Sequence, residues 1–207
     1  LLFCPKNFDE KKKYPAIVVV HPGGGVKEQC ASLYSWNLSE NGYIALCFDA
    51  SYQGESEWTP RYLELPESRV EDINSAVDYL VTLEYVDENK IGLMGICAGG
   101  GYAMNAAQTE LRVKACAGVS TYNLGYTSRK LFPGLNIPNY YENMMKGVAD
   151  ARNKQAKTGE IVYGHYCPDK KEELSDSLPV LFREGYDYYK ISRCSLSYCC
   201  QQIYSFL

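Results

Sequence analysis

Four runs in the first 120 residues are apolar almost without interruption: "PAIVVV", "YIALCF", "KIGLMGI" and "VKACAGVS". Runs of this length, rich in Val and Ile and bounded by Gly, Pro, Asp or Ser, predict buried strands. The segments between them change period. Ala31, Tyr34 and Leu38 share one helical face, and Gly42 supplies a stop. Ser68-Arg69-Val70-Glu71 has the form of a capping box. Behind it Val70, Ile73, Val77, Leu80 and Val81 make an apolar stripe at helical spacing. Gly99 to Thr109 predicts a third helix, rich in Ala and Gly. Pro15 to Ser120 therefore reads strand–helix–strand–helix–strand–helix–strand. Uniformly apolar rather than alternating strands indicate a mostly parallel sheet with helices on both faces, an α/β fold. Ligands of such sheets bind beyond the carboxyl ends of the strands. The Gly-rich loop after Val20, the loop after Asp49 and the turn at Cys97 all fall on that edge.

The pattern changes twice more. From Thr121 to about residue 190, Tyr, Asn, Lys and Glu replace the alternation. "NYYENMMKGVADARNKQAK" predicts a helix and "LSDSLPVLFREGYDYY" a second, together a helical cap or an excursion between strands. Residues 191–207, "ISRCSLSYCCQQIYSFL", carry one charge and three cysteines and follow neither period. The expected organisation is a core over 1–120, a cap over 121–190 and a divergent tail over 191–207.

Composition removes several function classes. The net charge of -4 gives no basic surface for nucleic acid or an anionic membrane. No apolar run reaches the roughly 20 residues a membrane span needs. The nine cysteines include no CxxC, and the two histidines lack ligand spacing, so neither a zinc site nor a cofactor is expected. Cysteines inside apolar runs, such as Cys47 and Cys116, behave as buried free thiols, which points to a reducing, cytoplasmic setting.

The candidate chemistry lies in "KIGLMGICAGGGYAMNAA". A nucleophile on a strand-to-helix turn needs small residues two before and two after it, and Gly95 and Gly99 flank Cys97 in that way. The next amide, Ala98, faces the same space and can hold an oxyanion. The helix that follows aims its N-terminus at the sulfur, which favours thiolate. The bland alternative, a packing cysteine at a Gly-rich strand end, does not account for both glycines together. His21-Pro22-Gly23-Gly24-Gly25 follows the neighbouring strand and is of the type that donates a second oxyanion amide, with Gly24 favoured over Gly23 or Gly25. Asp49 reads as a carboxylate anchoring its turn. Tyr52, Trp58 and Tyr62 either line the crevice or cover the core. His21, on the catalytic edge, and His165, in the cap, are the two candidates for a base.

"HPGGGVKEQ", "GYIALCFDASYQGES", "PRYLELPESRVEDINSAVDYL" and "IGLMGICAGGGYAMNAA" together resemble the α/β-hydrolase fold, and within it the dienelactone-hydrolase-like group with Cys in the elbow, close to polyketide transferases and thiohydrolases. The resemblance covers about Leu1 to Ser120 and weakens through "REGYDYY". It implies Cys97 as nucleophile and Ala98 with the His21–Gly25 loop as oxyanion hole. It also implies an acid and a histidine, in that order, after two later strands. Those strands are not seen before Leu207. The expectation is a partial α/β-hydrolase fold with outer strands missing, a truncated fragment whose tail reads like another frame. Its function would be a hydrolase or acyl transferase for ester, lactone or thioester bonds, with a small-molecule acyl substrate. The alternative is a catalytically incomplete pseudoenzyme. A nucleotide-binding domain fits less well, since "GICAGGGYA" has no G-x-G-x-x-G and no Walker lysine follows. Oligomeric state is not legible.

Overall fold

The computed structural model describes residues 1–131, 139–165, 170–174, 180–189 and 201–203. Its core is a five-stranded sheet: β1 (Leu2–Phe3), β2 (Tyr14–Val20), β3 (Ile44–Cys47), β4 (Val86–Ile96) and β5 (Val113–Val119), in the order β1-β3-β2-β4-β5. The β2–β3, β2–β4 and β4–β5 pairs are parallel, and only β1 runs antiparallel, against β3. The mostly parallel sheet expected from the uninterrupted apolar runs is therefore present.

Both faces are covered. Helices α2 (Pro66–Val81) and α3 (Ala98–Ala106) pack on one, where Ile73, Val77, Leu80, Tyr102 and Ala103 meet Val18, Ile44 and Leu93. On the other, α1 (Ser32–Glu40) and the wide turn before it bring Ala31, Tyr34 and Leu38 against Val19, Cys47 and Ile96. Burial of these aliphatic side chains, about 1.5–3 kcal/mol each relative to exposure, is the main force assembling the layers.

Three expectations change. Helix α2 starts at Pro66, with Leu65 as its N-cap, so Ser68 sits within the first turn and is no cap. Proline suits this position because its missing N–H has no helical partner there. Val81 leaves the apolar stripe and is exposed, while Arg69 takes an inward position that the stripe did not predict. Strand β5 is an edge strand on which Lys114, Ala115, Ala117 and Gly118 are exposed.

Beyond β5 come a short turn of helix α4 (Leu124–Tyr126), α5 (Tyr140–Thr158), β6 (Tyr163–His165), α6 (Val180–Tyr189) and β7 (Gln201–Ile203), the last pairing antiparallel with β6. Both helices predicted for this region are present. Apart from β7, the tail lies outside the described residues.

Candidate active site

Strand β4 ends at Ile96 and α3 begins at Ala98, so Cys97 alone makes the turn. Its backbone has φ 54° and ψ -121°, a conformation that is costly for any residue with a Cβ. Three hydrogen bonds hold it there. The Cys97 amide donates to the Val119 carbonyl, while the Cys97 carbonyl accepts from the Gly100 and Tyr122 amides. The flanking glycines are required by close approach. A Cβ on Gly95 would strike the Gly99 carbonyl and the Gly100 Cα, and one on Gly99 would strike the Val20 and His21 carbonyls. The elbow is thus wedged between β2 and β5.

The thiol of Cys97 is half-buried and free. Burial pushes its pKa up, the Ala98 amide partly offsets this, and the charge of Glu64 adds to the rise. The helix N-terminus was expected to favour thiolate. Burial works in the opposite direction and raises the thiol's pKa.

The residues behind the elbow form a buried charged cluster. His21 is 1% exposed. Its Nε2 accepts from the Ala50 amide, and its carbonyl accepts from Arg69 at 2.6 Å. Burial first, then the Arg69 charge, push the imidazole pKa down to about 3. The proposal of His21 as a base does not survive this geometry, because the ring faces Ala50, Arg69 and Pro22 and is kept neutral. The side chain of His165 lies outside the described residues.

Gly24, expected to donate an oxyanion amide, has that amide engaged in this structure. Its amide does not face open space but donates to Glu64 Oε2 at 2.9 Å, and the Gly25 amide donates to the Pro22 carbonyl. Glu64, 0% exposed, lies 3.7 Å from Arg69 Nε, and the Arg69 guanidinium sits 5.1 Å from the centre of the Tyr102 ring. Sequence reasoning singled out neither Glu64 nor Arg69.

The polar loop between β3 and α2 delivers Glu64, and its ties are specific. Asp49 Oδ1 accepts from the Lys27 amide, and Oδ2 from the Glu55 amide. Burial alone would raise its pKa, yet the Lys27 ammonium and these amides outweigh it and hold the carboxyl low. Asp49 is thus the loop anchor it was read to be. Ser51 binds Asp72 of α2 through both its amide and its hydroxyl, and Gln53 Nε2 donates to the Leu63 carbonyl. Tyr52, Trp58 and Tyr62 all adopt positive φ on this loop; Trp58 is 68% exposed, and Tyr62 meets Tyr163 edge-on.

Glu28, Asp49 and Glu55 converge closely enough for a cation, but the Lys27 ammonium lies 2.8, 2.6 and 2.7 Å from them and supplies the countercharge. A cleft of about 480 Å³ beside α3 is lined by Pro66, Val70, Gly101, Tyr102, Tyr122 and Leu124 among others. Glu67, Asn105 and Asn123 complete a lining that is polar as well as apolar. Among the described residues no helix is long and apolar enough to cross a membrane.

Known proteins resemble this chain in sequence and fold. The chain is 43% identical over 200 residues to YcjY of Escherichia coli K12, covering 93% of this chain and 62% of that protein. It superposes on the crystal structure of PA2218 from Pseudomonas aeruginosa with a TM-score of 0.83 at 33% identity, over 96% of this chain and 60% of that one. A thiohydrolase of Aspergillus aculeatus, AneE, is 36% identical over 100 residues, 48% of this chain and 31% of its own length. The chain thus spans about 60% of the length of the first two. The family model for dienelactone hydrolases matches residues 1–130, the whole sheet and the elbow. The chain belongs to the dienelactone hydrolase family.

Proposed function

We propose that the chain carries the nucleophilic centre of a hydrolase for ester or thioester bonds, with Cys97 as the attacking group. The observation that carries this reading is the backbone of Cys97. A strained φ of 54° between two obligatory glycines, at the N-terminus of a buried helix, is a cost that packing alone does not require. Family membership and the similarity to a thiohydrolase support the bond class. Lactones and transfer to an acceptor other than water follow the same first step.

In that step Cys97 Sγ attacks the acyl carbon, and its proton passes through solvent to the oxygen or sulfur of the leaving group. The Ala98 amide stabilises the oxyanion, and collapse of the tetrahedral intermediate expels the alcohol or thiol. A thiolate is itself a good leaving group, so activated acyl groups are better substrates than amides.

A second reading keeps the nucleophile but not the turnover. With His21 committed to Ala50 and Arg69, no described imidazole faces Cys97. Water would then be activated poorly, and the acyl-enzyme would accumulate. One experiment separates the two readings. The chain is mixed with p-nitrophenyl acetate, and released p-nitrophenolate is followed while the Cys97 peptide is weighed by mass spectrometry. Steady turnover with a transient acetyl group on Cys97 supports the hydrolase. A burst of one equivalent that stops with Cys97 acetylated supports the stalled form. Acetylation elsewhere, unchanged in Cys97→Ala, would sink both.

A further inference from the structure

Two buried residues of opposite charge hold the same two elements. Arg69, on the first turn of α2, donates to the His21 carbonyl at 2.6 Å and lies over the face of the Tyr102 ring. Glu64 accepts from the Gly24 amide at 2.9 Å, and its carboxylate has the Tyr102 hydroxyl as a further hydrogen-bond partner. The His21–Gly24 loop is therefore held at both ends, and Tyr102 of α3 at both its face and its hydroxyl. The His21 carbonyl is where this cluster meets the elbow. A Cβ on Gly99 would lie 2.5 Å from it, so this carbonyl rests against the first turn of α3, one residue past Ala98. It is thus caught between Arg69 and the helix that carries Cys97 at its head. Ala98 and Tyr102 are four residues apart and share one face of that helix. A well-packed apolar pair of similar volume is often as stable as a buried ion pair. What the charged pair adds is direction, since a guanidinium and a carboxylate accept only particular arrangements of their partners.

We propose that Arg69 and Glu64 are positioning residues of the Cys97 site: they brace the first turn of α3 against the His21–Gly24 loop and so fix the aim of the Ala98 amide. This rests on the reading of Cys97 as nucleophile. Both residues are buried and act through α3, not on the substrate. Transfer of an acyl group to sulfur needs the amide aligned with the developing oxyanion, and a misplacement of about 1 Å can cost on the order of 100-fold in rate. Alkylation of the same sulfur has no such requirement.

Two reactions therefore separate alignment from thiol access. With p-nitrophenyl acetate, the Sγ–carbonyl bond forms, the ester C–O bond breaks, p-nitrophenolate leaves and the thiol proton passes to solvent; an oxyanion must be held. With iodoacetamide, Sγ attacks the methylene carbon, iodide leaves and the thiol proton again goes to solvent; no oxyanion forms. Both rates are read at the Cys97 peptide by mass spectrometry, in the wild-type chain, Arg69→Lys and Tyr102→Phe, with urea midpoints measured beside them. Lysine keeps the charge but cannot at once hold the His21 carbonyl and cover the Tyr102 ring. The acylation-to-alkylation ratio should therefore fall about tenfold in Arg69→Lys, within the range that misalignment produces. In Tyr102→Phe, which loses only the tie to Glu64, it should fall about threefold, the worth of one modest hydrogen bond. The loss should lie in the acylation rate at saturating ester. A loss confined to the half-saturating ester concentration overturns the brace, since it would make Arg69 a substrate contact. Should Arg69→Lys fail to fold, Tyr102→Phe alone decides. Lower urea midpoints with an unchanged ratio overturn the brace, reduce the cluster to a source of stability and leave the nucleophile standing. Equal falls in both reactions overturn it too, because access to the thiol and not alignment would have changed. No acylation of Cys97 in the wild-type chain overturns the nucleophile and the brace together.

Discussion

Helices α3 and α5 follow opposite rules. Helix α3 has nine residues, three of them consecutive glycines, and six of its nine are buried. By intrinsic propensity it is a poor helix, since each interior Gly costs about 1 kcal/mol relative to Ala. Helix α5 has nineteen residues, many of them Ala, Lys, Met and Glu, and none is buried. Its residues favour a helix without help from the sheet. The contrast teaches where the chain accepts a cost. It tolerates weak helix formers where the backbone of α3 must lie against β2 and β5 to seat Cys97, and it uses better helix formers in α5, which has no fully buried residue.

The sharpest way to break this contrast is at the elbow. If the conformation of Cys97 is strained for the sake of its sulfur, Cys97→Gly should abolish acylation at this position. Release of p-nitrophenolate should fall on the order of 10³-fold. The same change should leave the protein about 1 kcal/mol more stable than Cys97→Ala, because glycine alone adopts φ 54° and ψ -121° without penalty. Chemical denaturation of the two variants checks this; a less stable Cys97→Gly would mean that the turn is not strained.

Next comes Gly99→Ala. The added methyl meets the Val20 and His21 carbonyls, which belong to β2 and its loop and have no room to retreat. A loss of about 3 kcal/mol, the upper end for overpacking, is expected from urea midpoints despite the gain in helix propensity. An unchanged midpoint would show that α3 is free to shift away from β2, contrary to the tight seat described for the elbow.

How far the sequence reveals this site follows from the same contrast. Gly95, Cys97 and Gly99 are legible because close approach demands a particular residue type at fixed spacing. The strands are legible because a sheet buried on both faces leaves no charged positions in β2, β3 and the Ile91–Ile96 half of β4, whereas the polar start of β4, Asp87 to Lys90, hides its first residues. Glu64 is not legible, for it arrives on a loop without period, and only the ties of Asp49, Ser51 and Gln53 deliver it to Gly24. Arg69 follows Ser68 and precedes Glu71, so in the sequence it looks like part of a capping turn. Its inward position depends on the His21 carbonyl that it serves. Likewise, β5 is as apolar as its neighbours, and its half-exposed state comes from its place at the edge.

The buried cluster behind the elbow should also set the acid limit of the core. His21 has a pKa of about 3 when folded against 6.5 as an ordinary histidine. Between these values the unfolded chain binds a proton that the folded chain refuses. Its contribution is therefore fully present above pH 6.5 and is lost as the pH falls, at about 1.4 kcal/mol per unit. Comparing the stability of the wild-type chain with that of His21→Gln from pH 7 to pH 4.5 isolates this term. The wild-type curve should fall more steeply by about that slope, and parallel curves would mean that the ring is protonated in the folded protein.

The smallest effect is expected at Gly147, and its sign completes the comparison. It lies mid-way along α5, and a Cβ there would meet nothing within 4 Å. Nothing in the packing asks for glycine, so only the intrinsic cost remains. Gly147→Ala should therefore stabilise α5 by about 0.5–1 kcal/mol, read as slower amide exchange along the helix with Cys97 reactivity unchanged. The same chemical change, Gly to Ala within a helix, is thus expected to cost several times that amount at Gly99. If both substitutions moved stability in the same direction, close approach of α3 to the sheet would not be the reason for its glycines.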